Sequence, residues 1–289
     1  MLAQLIGSGI ATGCVYALVA LGLTVLYRAT TVVNFGHGEF FMLGAFTVYA
    51  LERSLHVPPL LGMLASFVLL FAIGMAVEAG LMRRLREAPH ISLAMMTVAL
   101  SFLLKGGARF FAGRDVSPLP PLLDGEPIEI AGAVFLPQDL LVVAGTVVVV
   151  AGFFAFFQHT RLGKVIQAAS RSPRGAALAG LNVPLFHSTM WGVSAAMGAL
   201  AGVLIAPSTL VYPDMGAGML IHAFAAMTLG GFGSLPGAVM GGLALGVLEN
   251  LTGGYVSSSA VDITAYLVII LVLLLRPEGL LGEGRAARV

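Results

Sequence analysis

The sequence predicts an all-α polytopic membrane protein of about eight transmembrane helices, with its N-terminus periplasmic and its C-terminus cytoplasmic. A single membrane domain covers 1–289. Three observations carry this. Hydrophobic residues make up 58% of the 289 residues and charged residues 10%, with a mean hydropathy of +0.97. Soluble domains need about 25% charged residues to cover their surface. Apolar runs long enough to cross a bilayer recur along the chain, and the basic residues gather in alternate connections between them. The 37 glycines suit closely packed helices, because small residues let backbones approach without polar side chains.

The first span reads as residues 5–27, with a small-residue stripe of Gly9, Gly13, Ala17 and Gly22 for a helix seam. Its apolar stretch is too long for a secretory leader and favours a retained span. The lone cysteine, Cys14, excludes internal disulfides and cysteine metal clusters. The second span, 32–51, begins with Asn34-Phe-Gly-His-Gly-Glu39, where glycines interrupt the helical pattern and three polar side chains crowd together. The third, 60–82, stops at Arg83-Arg-Leu-Arg86, and the fourth, 91–111, carries Lys105 and Arg109 on one face. Residues 113–139 form a polar, Pro-rich periplasmic loop with Asp115, Asp124, Glu126, Glu129 and Asp139. The fifth span is 140–157 and the sixth 185–207. Residues 219–229 and 237–248 are best read as two spans joined by a Gly-rich turn, with half-helices meeting at a break as the alternative. The last span, 262–275, is short for a crossing that needs about 17–25 residues.

Between the fifth and sixth spans lies a basic linker, 159–183, with Arg161, Lys164, Arg171 and Arg174 and no acid. Thr160 can cap a helix whose apolar positions Leu162, Val165, Ile166 and Ala169 fall at near-helical spacing. Ser172 and Pro173 give a cap and first residue for a second short helix, which Gly180 stops. Such an element is a candidate docking surface for a soluble partner; the alternative is a positively charged loop that sets orientation. With the linker cytoplasmic, that side also receives Arg28, Arg83, Arg84, Arg86, Arg276, Arg285 and Arg288, leaving Arg53, Lys105, Arg109 and Arg114 elsewhere.

Asn34, His37 and Glu39 are candidate pathway or gate residues near the cytoplasmic end of the second span. Polar groups at membrane depth cost free energy unless paired or facing a wet cavity, so a satisfied structural hinge is the competing reading. The Gly-rich stretch with Gly230, Gly231, Gly233 and Ser234 lacks the lysine and hydroxyl end of a nucleotide loop; it permits close helix contact or a break facing a pathway. Phe35-Gly36, Gly44 and Leu51-Glu52 repeat as Phe232-Gly233, Gly241 and Leu248-Glu249 at a fixed offset, a faint echo of the paired interrupted segments of transporters. Glu78 is placed to pair with the neighbouring arginines, and Glu249 with Lys105 or Arg109. Asp214 and Asp262 read as exposed outer residues that a soluble partner could touch. No catalytic triad, metal cluster, haem spacing or nucleic-acid surface is evident in the sequence.

Several stretches carry a family resemblance: Tyr16-Ala-Leu-Val-Ala-Leu-Gly-Leu23, Val33-Asn-Phe-Gly-His-Gly-Glu39, the linker ending Gly180-Leu-Asn-Val183, Leu229-Gly-Gly-Phe-Gly-Ser234 with Gly237-Ala238 and Gly241-Gly242, and Arg276-Pro-Glu-Gly-Leu280. In them the chain resembles the membrane permease subunit of bacterial high-affinity branched-chain amino acid ABC transporters, of the first of two paired permease types. The resemblance implies a multi-pass protein of the bacterial cell inner membrane, importing Leu, Ile or Val. Relatives that serve urea, short amides or another amino acid are the alternative, and an ion-coupled carrier is a third reading. The implied partners are a second, homologous permease, two cytoplasmic ATPase subunits and a periplasmic substrate-binding protein. The ATPases would use ATP-Mg, while this chain would bind no cofactor and catalyse no reaction. By the same resemblance, 159–183 is the coupling loop on the ATPase, through Arg161, Gly163, Lys164, Ala168, Ala169, Arg171 and Gly180.

Overall fold

The computed structural model describes every residue except Arg114, Asp115, Asp124, Ala131, Ala179 and 283–289, and no side chain of Ile130, Leu162, Arg171, Pro173 or Arg174. The expectations for Arg114, Asp115, Asp124, Arg285 and Arg288, and for the side chains of Arg171 and Arg174, therefore lie outside the described residues. The helices, in order, are α1 (Leu2–Thr30), α2 (His37–Leu55), α3 (Pro59–Gly80), α4 (His90–Ala112), α5 (Pro137–His159), α6 (Arg161–Arg171), α7 (Pro173–Leu178), α8 (Val183–Ile205), α9 (Met215–Gly230), α10 (Leu235–Tyr255) and α11 (Val261–Leu275). A hairpin of β1 (Ile128–Ile130) and β2 (Ala133–Phe135) pairs antiparallel, Ile128 against Phe135.

The bundle has two ends. At one, the linker helix α6 lies beside the end of α1 and the starts of α8 and α10, with Arg28, Gln167, Met190 and Pro236 around one cleft, and α7 follows against α6 and α8. At the other, the hairpin sits on the start of α1: Gln4 and Val134 exchange hydrogen bonds of 2.8 and 2.7 Å, and the Phe135 ring packs on Gly7. The hairpin is a departure from the plain loop expected at 113–139. Three alternating residues per strand are too few for periodicity to reveal, and contact with α1 supplies the support that an isolated hairpin lacks in water.

Among the described residues, seven helices are long and apolar enough to cross a membrane: α1, α3 with its 3-10 turn, α4, α5, α8, α10, and α11 with the turn before it. The other two passages between the ends use α2, of 19 residues, and α9, of 16. With these two, the passages among the described residues number nine, one for each apolar segment read along the sequence, where a total of about eight was expected. The odd number is also what termini on opposite sides require, which eight crossings cannot provide. Residues 219–249 do form two helices, turned at Gly231 (φ 108°) and Gly233 (φ 81°), conformations open to glycine.

The centre of the bundle is α1 and α8, both buried over most of their length. α1 lies along α10 and α8 lies against α2 and α3. At the α1–α10 seam, a Cβ on Gly9 would come 2.7 Å from Val247 Cα, and one on Gly13 would come 2.8 Å from Leu243 Cα. The backbones are in direct contact there, as expected where dispersion rather than a hydrophobic drive holds helices together.

Candidate functional site

α1 ends at the linker end of the bundle, but α2 does not begin there. Residues 31–36 return towards the centre, and His37 starts α2 among residues halfway along α1 and α8. Its Nε2 lies 3.1 Å from the Val19 carbonyl, and its Nδ1 3.2 Å from Ser194 Oγ. A carbonyl can only accept, so Nε2 carries a proton and donates to Val19, while the Ser194 hydroxyl meets the other ring nitrogen and both nitrogens are satisfied. His37 is fully buried. The break thus lies at mid-depth rather than near the cytoplasmic end. Asn34 folds its Oδ1 onto Gly36 N–H at 2.9 Å, while its buried Nδ2 has no hydrogen-bond partner among the described residues.

The start of α9 meets this break. Gly38 and Gly216 pack carbonyl to Cα with no room for a side chain on either, so two helix N-termini converge at mid-depth. Their dipoles favour negative charge there, and Glu39, in the first turn of α2, and Asp214, preceding α9, supply it. α4 answers with cations. Ser101 Oγ donates to Glu39 Oε1 at 2.8 Å, and Lys105 Nζ lies 3.8 Å from Glu39 and 3.3 Å from Asp214. Arg109 donates to both Asp214 oxygens at 2.8 and 2.7 Å. Asp214 is exposed, as the sequence suggested, and it also pairs within the chain.

Towards the linker end, Asn34, Thr97, His90, Glu78, Arg86 and His187 border a cavity of about 280 Å³. Glu78, 1% exposed, pairs with Arg83 and Arg86 and accepts from Ser188, tying α3 to α8. Glu78→Ala is expected to cost about 1–3 kcal/mol, at the modest end because the two arginines are 43% and 30% exposed and can return to water. Thermal unfolding in detergent reads this out, and an unchanged midpoint would mean the pair does not hold the two helices together. Glu249 does not reach Lys105 or Arg109. It accepts from Tyr16 Oη at 2.7 Å and lies 3.5 Å from His222 Nε2, with the Tyr16 and His222 rings stacked.

The predicted pathway residues separate in space. Asn34, His37 and Glu39 gather at mid-depth, while Gly230, Gly231, Gly233 and Ser234 form the α9–α10 turn at the linker end. Ser234 Oγ caps α10 through Gly237 N–H at 3.1 Å. The C-terminal segment lies on the turn: Leu280 N–H donates to Leu229 O at 2.8 Å and Leu281 N–H to Gly230 O at 3.0 Å. Arg276-Pro-Glu-Gly-Leu280 therefore closes the end of α9, a role that no local pattern revealed. Thr97 and Ser101, missed as site residues, were detectable as the four-residue continuation of Lys105 and Arg109 along α4.

In the linker, Thr160 Oγ1 accepts from Gly163 N–H at 2.9 Å and Ser172 Oγ from Gly175 N–H at 3.1 Å, capping α6 and α7. Gly180 turns the chain with φ 80°, and Asn182 caps α8. Gly163 and Ala169 face inward; a Cβ on Gly163 would lie 2.6 Å from Phe157 Cα, and Ala169 is 2% exposed. Arg161, Lys164 and Ala168 are exposed, and Leu178 is 91% exposed beyond the bundle. No group of three or more His, Cys, Asp or Glu that could hold a metal occurs among the described residues.

A family profile described as the branched-chain amino acid transport system permease component matches residues 5–275. The high-affinity branched-chain amino acid transport system permease protein BraD of Pseudomonas aeruginosa is 30% identical over 299 residues, 99% of this chain and 97% of the relative. The permease protein LivH of the same kind of system, from Escherichia coli strain K12, is 29% identical over 296 residues, 98% and 96% of the two chains. Among solved structures, PsaBC from Streptococcus pneumoniae in complex with Fab superposes with a TM-score of 0.52 at 17% identity, covering 96% and 97%. That likeness is one of fold.

Proposed function

The chain belongs to the branched-chain amino acid transport system permease family, and from that premise we propose that it is one of two paired permeases of an ATP-driven importer of Leu, Ile and Val. It is a multi-pass inner-membrane protein. The energy comes from two cytoplasmic ATPase subunits that hold ATP-Mg, and substrate comes from a periplasmic binding protein; this chain contributes route and coupling, without catalysis or a cofactor of its own. The linker end is cytoplasmic and the hairpin end, with 113–139, periplasmic.

The observation that carries the reading is the geometry of α6 and α7. These helices are fastened to the bundle by Gly163, by Ala169 and by Gln167 Nε2 donating to Phe157 O at 2.7 Å. Their other side offers Arg161, Lys164, Ala168 and Leu178 outward. A rigid mount with an exposed basic and apolar face suits transmission of a partner's movement into α5 and α8. Reconstitution in proteoliposomes tests the assignment. Uptake of leucine, isoleucine or valine is expected only with ATP, both permeases, the ATPases and the binding protein. Uptake driven by an ion gradient through this chain alone would overturn it, and uptake of urea or a short amide in place of leucine would redirect it.

A further inference from the structure

α4 carries two different faces. Phe102, Leu103, Phe110 and Phe111 are 70%, 65%, 84% and 88% exposed and suit lipid. At four-residue spacing, Thr97, Ser101, Lys105 and Arg109 form a narrow polar stripe on another side. Thr97 is buried, Lys105 is 15% exposed and Arg109 40%, so the stripe opens towards the hairpin end, where Asp214 is 55% exposed. Charged groups open at bilayer depth are costly against acyl chains and belong against water or protein. The stripe also lies over the break of α2, where Phe35 N–H donates to Thr97 Oγ1 at 3.1 Å and Gly36 presents no side chain.

The stripe joins two polar spaces. Towards the linker end it reaches the cavity bordered by Asn34, whose Nδ2 is without a partner among the described residues. Towards the hairpin end it reaches the mixed-charge cluster. There Glu39 is 2% exposed, yet its Oε2 also lacks a hydrogen-bond partner among the described residues. A buried carboxylate oxygen aimed between two helix N-termini and two cations has capacity left for a donor. On the other side of α4, an apolar groove of about 840 Å³ separates it from α2 and α3. Leu100 of α4 packs into the buried cluster with Leu26, Phe40 and Trp191, so apolar packing at mid-helix and the polar stripe beside it together hold α4 to the break.

We propose that Thr97, Ser101, Lys105 and Arg109, with Glu39 and Asp214 opposite, form the wetted wall of the substrate route, and that the hairpin end of this wall binds the head group of a zwitterionic amino acid. The ammonium goes to Glu39 and Asp214, and the carboxylate to Lys105 and Arg109 beside the N-termini of α2 and α9. No bond is made or broken. The apolar side chain of the substrate lies away from the charges. The inference rests on the importer reading above and supplies the residues of the route.

The test uses the complete importer with Cys14→Ala in this chain and a single added cysteine, Ser101→Cys or, as the control on the exposed apolar face of α4, Phe102→Cys. A membrane-impermeant cationic methanethiosulfonate reacts with thiolates, which need water to form. Labelling at position 101 is expected to be at least roughly tenfold faster than at 102. Excess L-leucine is expected to slow it by at least about threefold, as a site two-thirds occupied would. Leucinamide, without the carboxylate, and N-acetyl-leucine, without the ammonium, are expected to protect far less. Equal labelling at 101 and 102 would overturn the wetted wall; equal protection by all three compounds, or none by leucine, would overturn the head-group site. As a second measurement, Lys105→Gln and Glu39→Gln are expected to lower ATP-driven leucine uptake by roughly tenfold or more, with ATP hydrolysis by the assembled complex retained. Uptake within twofold of the parent in both variants would also overturn the site. The parent's own failure to take up leucine would instead count against the importer reading, and the wet-against-dry contrast at 101 and 102 would still decide the wall.

Discussion

Gly246→Leu is expected to abolish recovery of the folded protein. Gly246 faces Gly13 and Gly9 across the α1–α10 seam, and a Cβ there would lie 2.6 Å from Gly9 O, with Gly13 backbone closer still. Every neighbour is backbone and none can turn aside. Overpacking a close-fitted site costs typically about 1–3 kcal/mol when side chains can shift. Four added carbons against two helix backbones force the seam apart, and the loss should approach the whole of a stability of about 5–15 kcal/mol. Size-exclusion chromatography of the detergent-solubilised protein reads the result as loss of the monodisperse peak. Gly152→Leu is the control, since nothing lies within 4 Å of its added Cβ, and it should behave as the parent. A normal peak for Gly246→Leu with an unshifted melting temperature would show that the seam is looser than these contacts require.

Leu178→Asp is expected to have the largest effect on function with the least on folding. The side chain is 91% exposed, so the fold has little stake in it, while the proposed ATPase contact would lose an apolar anchor and gain a buried charge. Truncating an interface anchor costs about 2 kcal/mol or more, a loss of roughly thirtyfold or more in affinity. Co-purification of the ATPase subunits and ATP-driven leucine uptake should fall together, with the permease pair itself intact. Full retention of the ATPases would remove Leu178 from the docking face. Gly163 is the wrong probe for the same question. Its substitution drives α6 off Phe157 of α5 and disturbs the mount of the docking face before it tests the contact.

The spans and the linker caps could be read locally because each depends on few residues. Thr160, Ser172 and Gly180 act within three residues of themselves, and apolar length marks a crossing wherever it occurs. Glu78 beside Arg83 and Arg86 was legible for the same reason, as the partners lie within one or two helical turns. The two helices of 219–249 were also visible in their glycines, though α9, at 16 residues, is shorter than a full crossing.

The rest depends on which helices meet. Asn34, His37 and Glu39 stand out in the sequence as polar residues beside glycines, but their depth is decided by Val19 and Ser194, which are distant in the chain. Lys105 and Arg109 look like residues reaching for the membrane surface until Asp214, more than a hundred positions away, is found between them. Glu249 finds Tyr16 and His222 because α1 and α9 flank α10, and no local periodicity contains that information. The contiguous residues alone determined that this chain is a helical membrane protein with a capped, basic linker, since hydrophobic length and terminal caps are properties of neighbouring residues. Only the tertiary structure decided that two interrupted helices bring their N-termini together at mid-depth under a polar face of α4. Such pairing is set by backbone contacts, Gly38 on Gly216 and Gly44 on Ala199, that form between segments far apart in the chain.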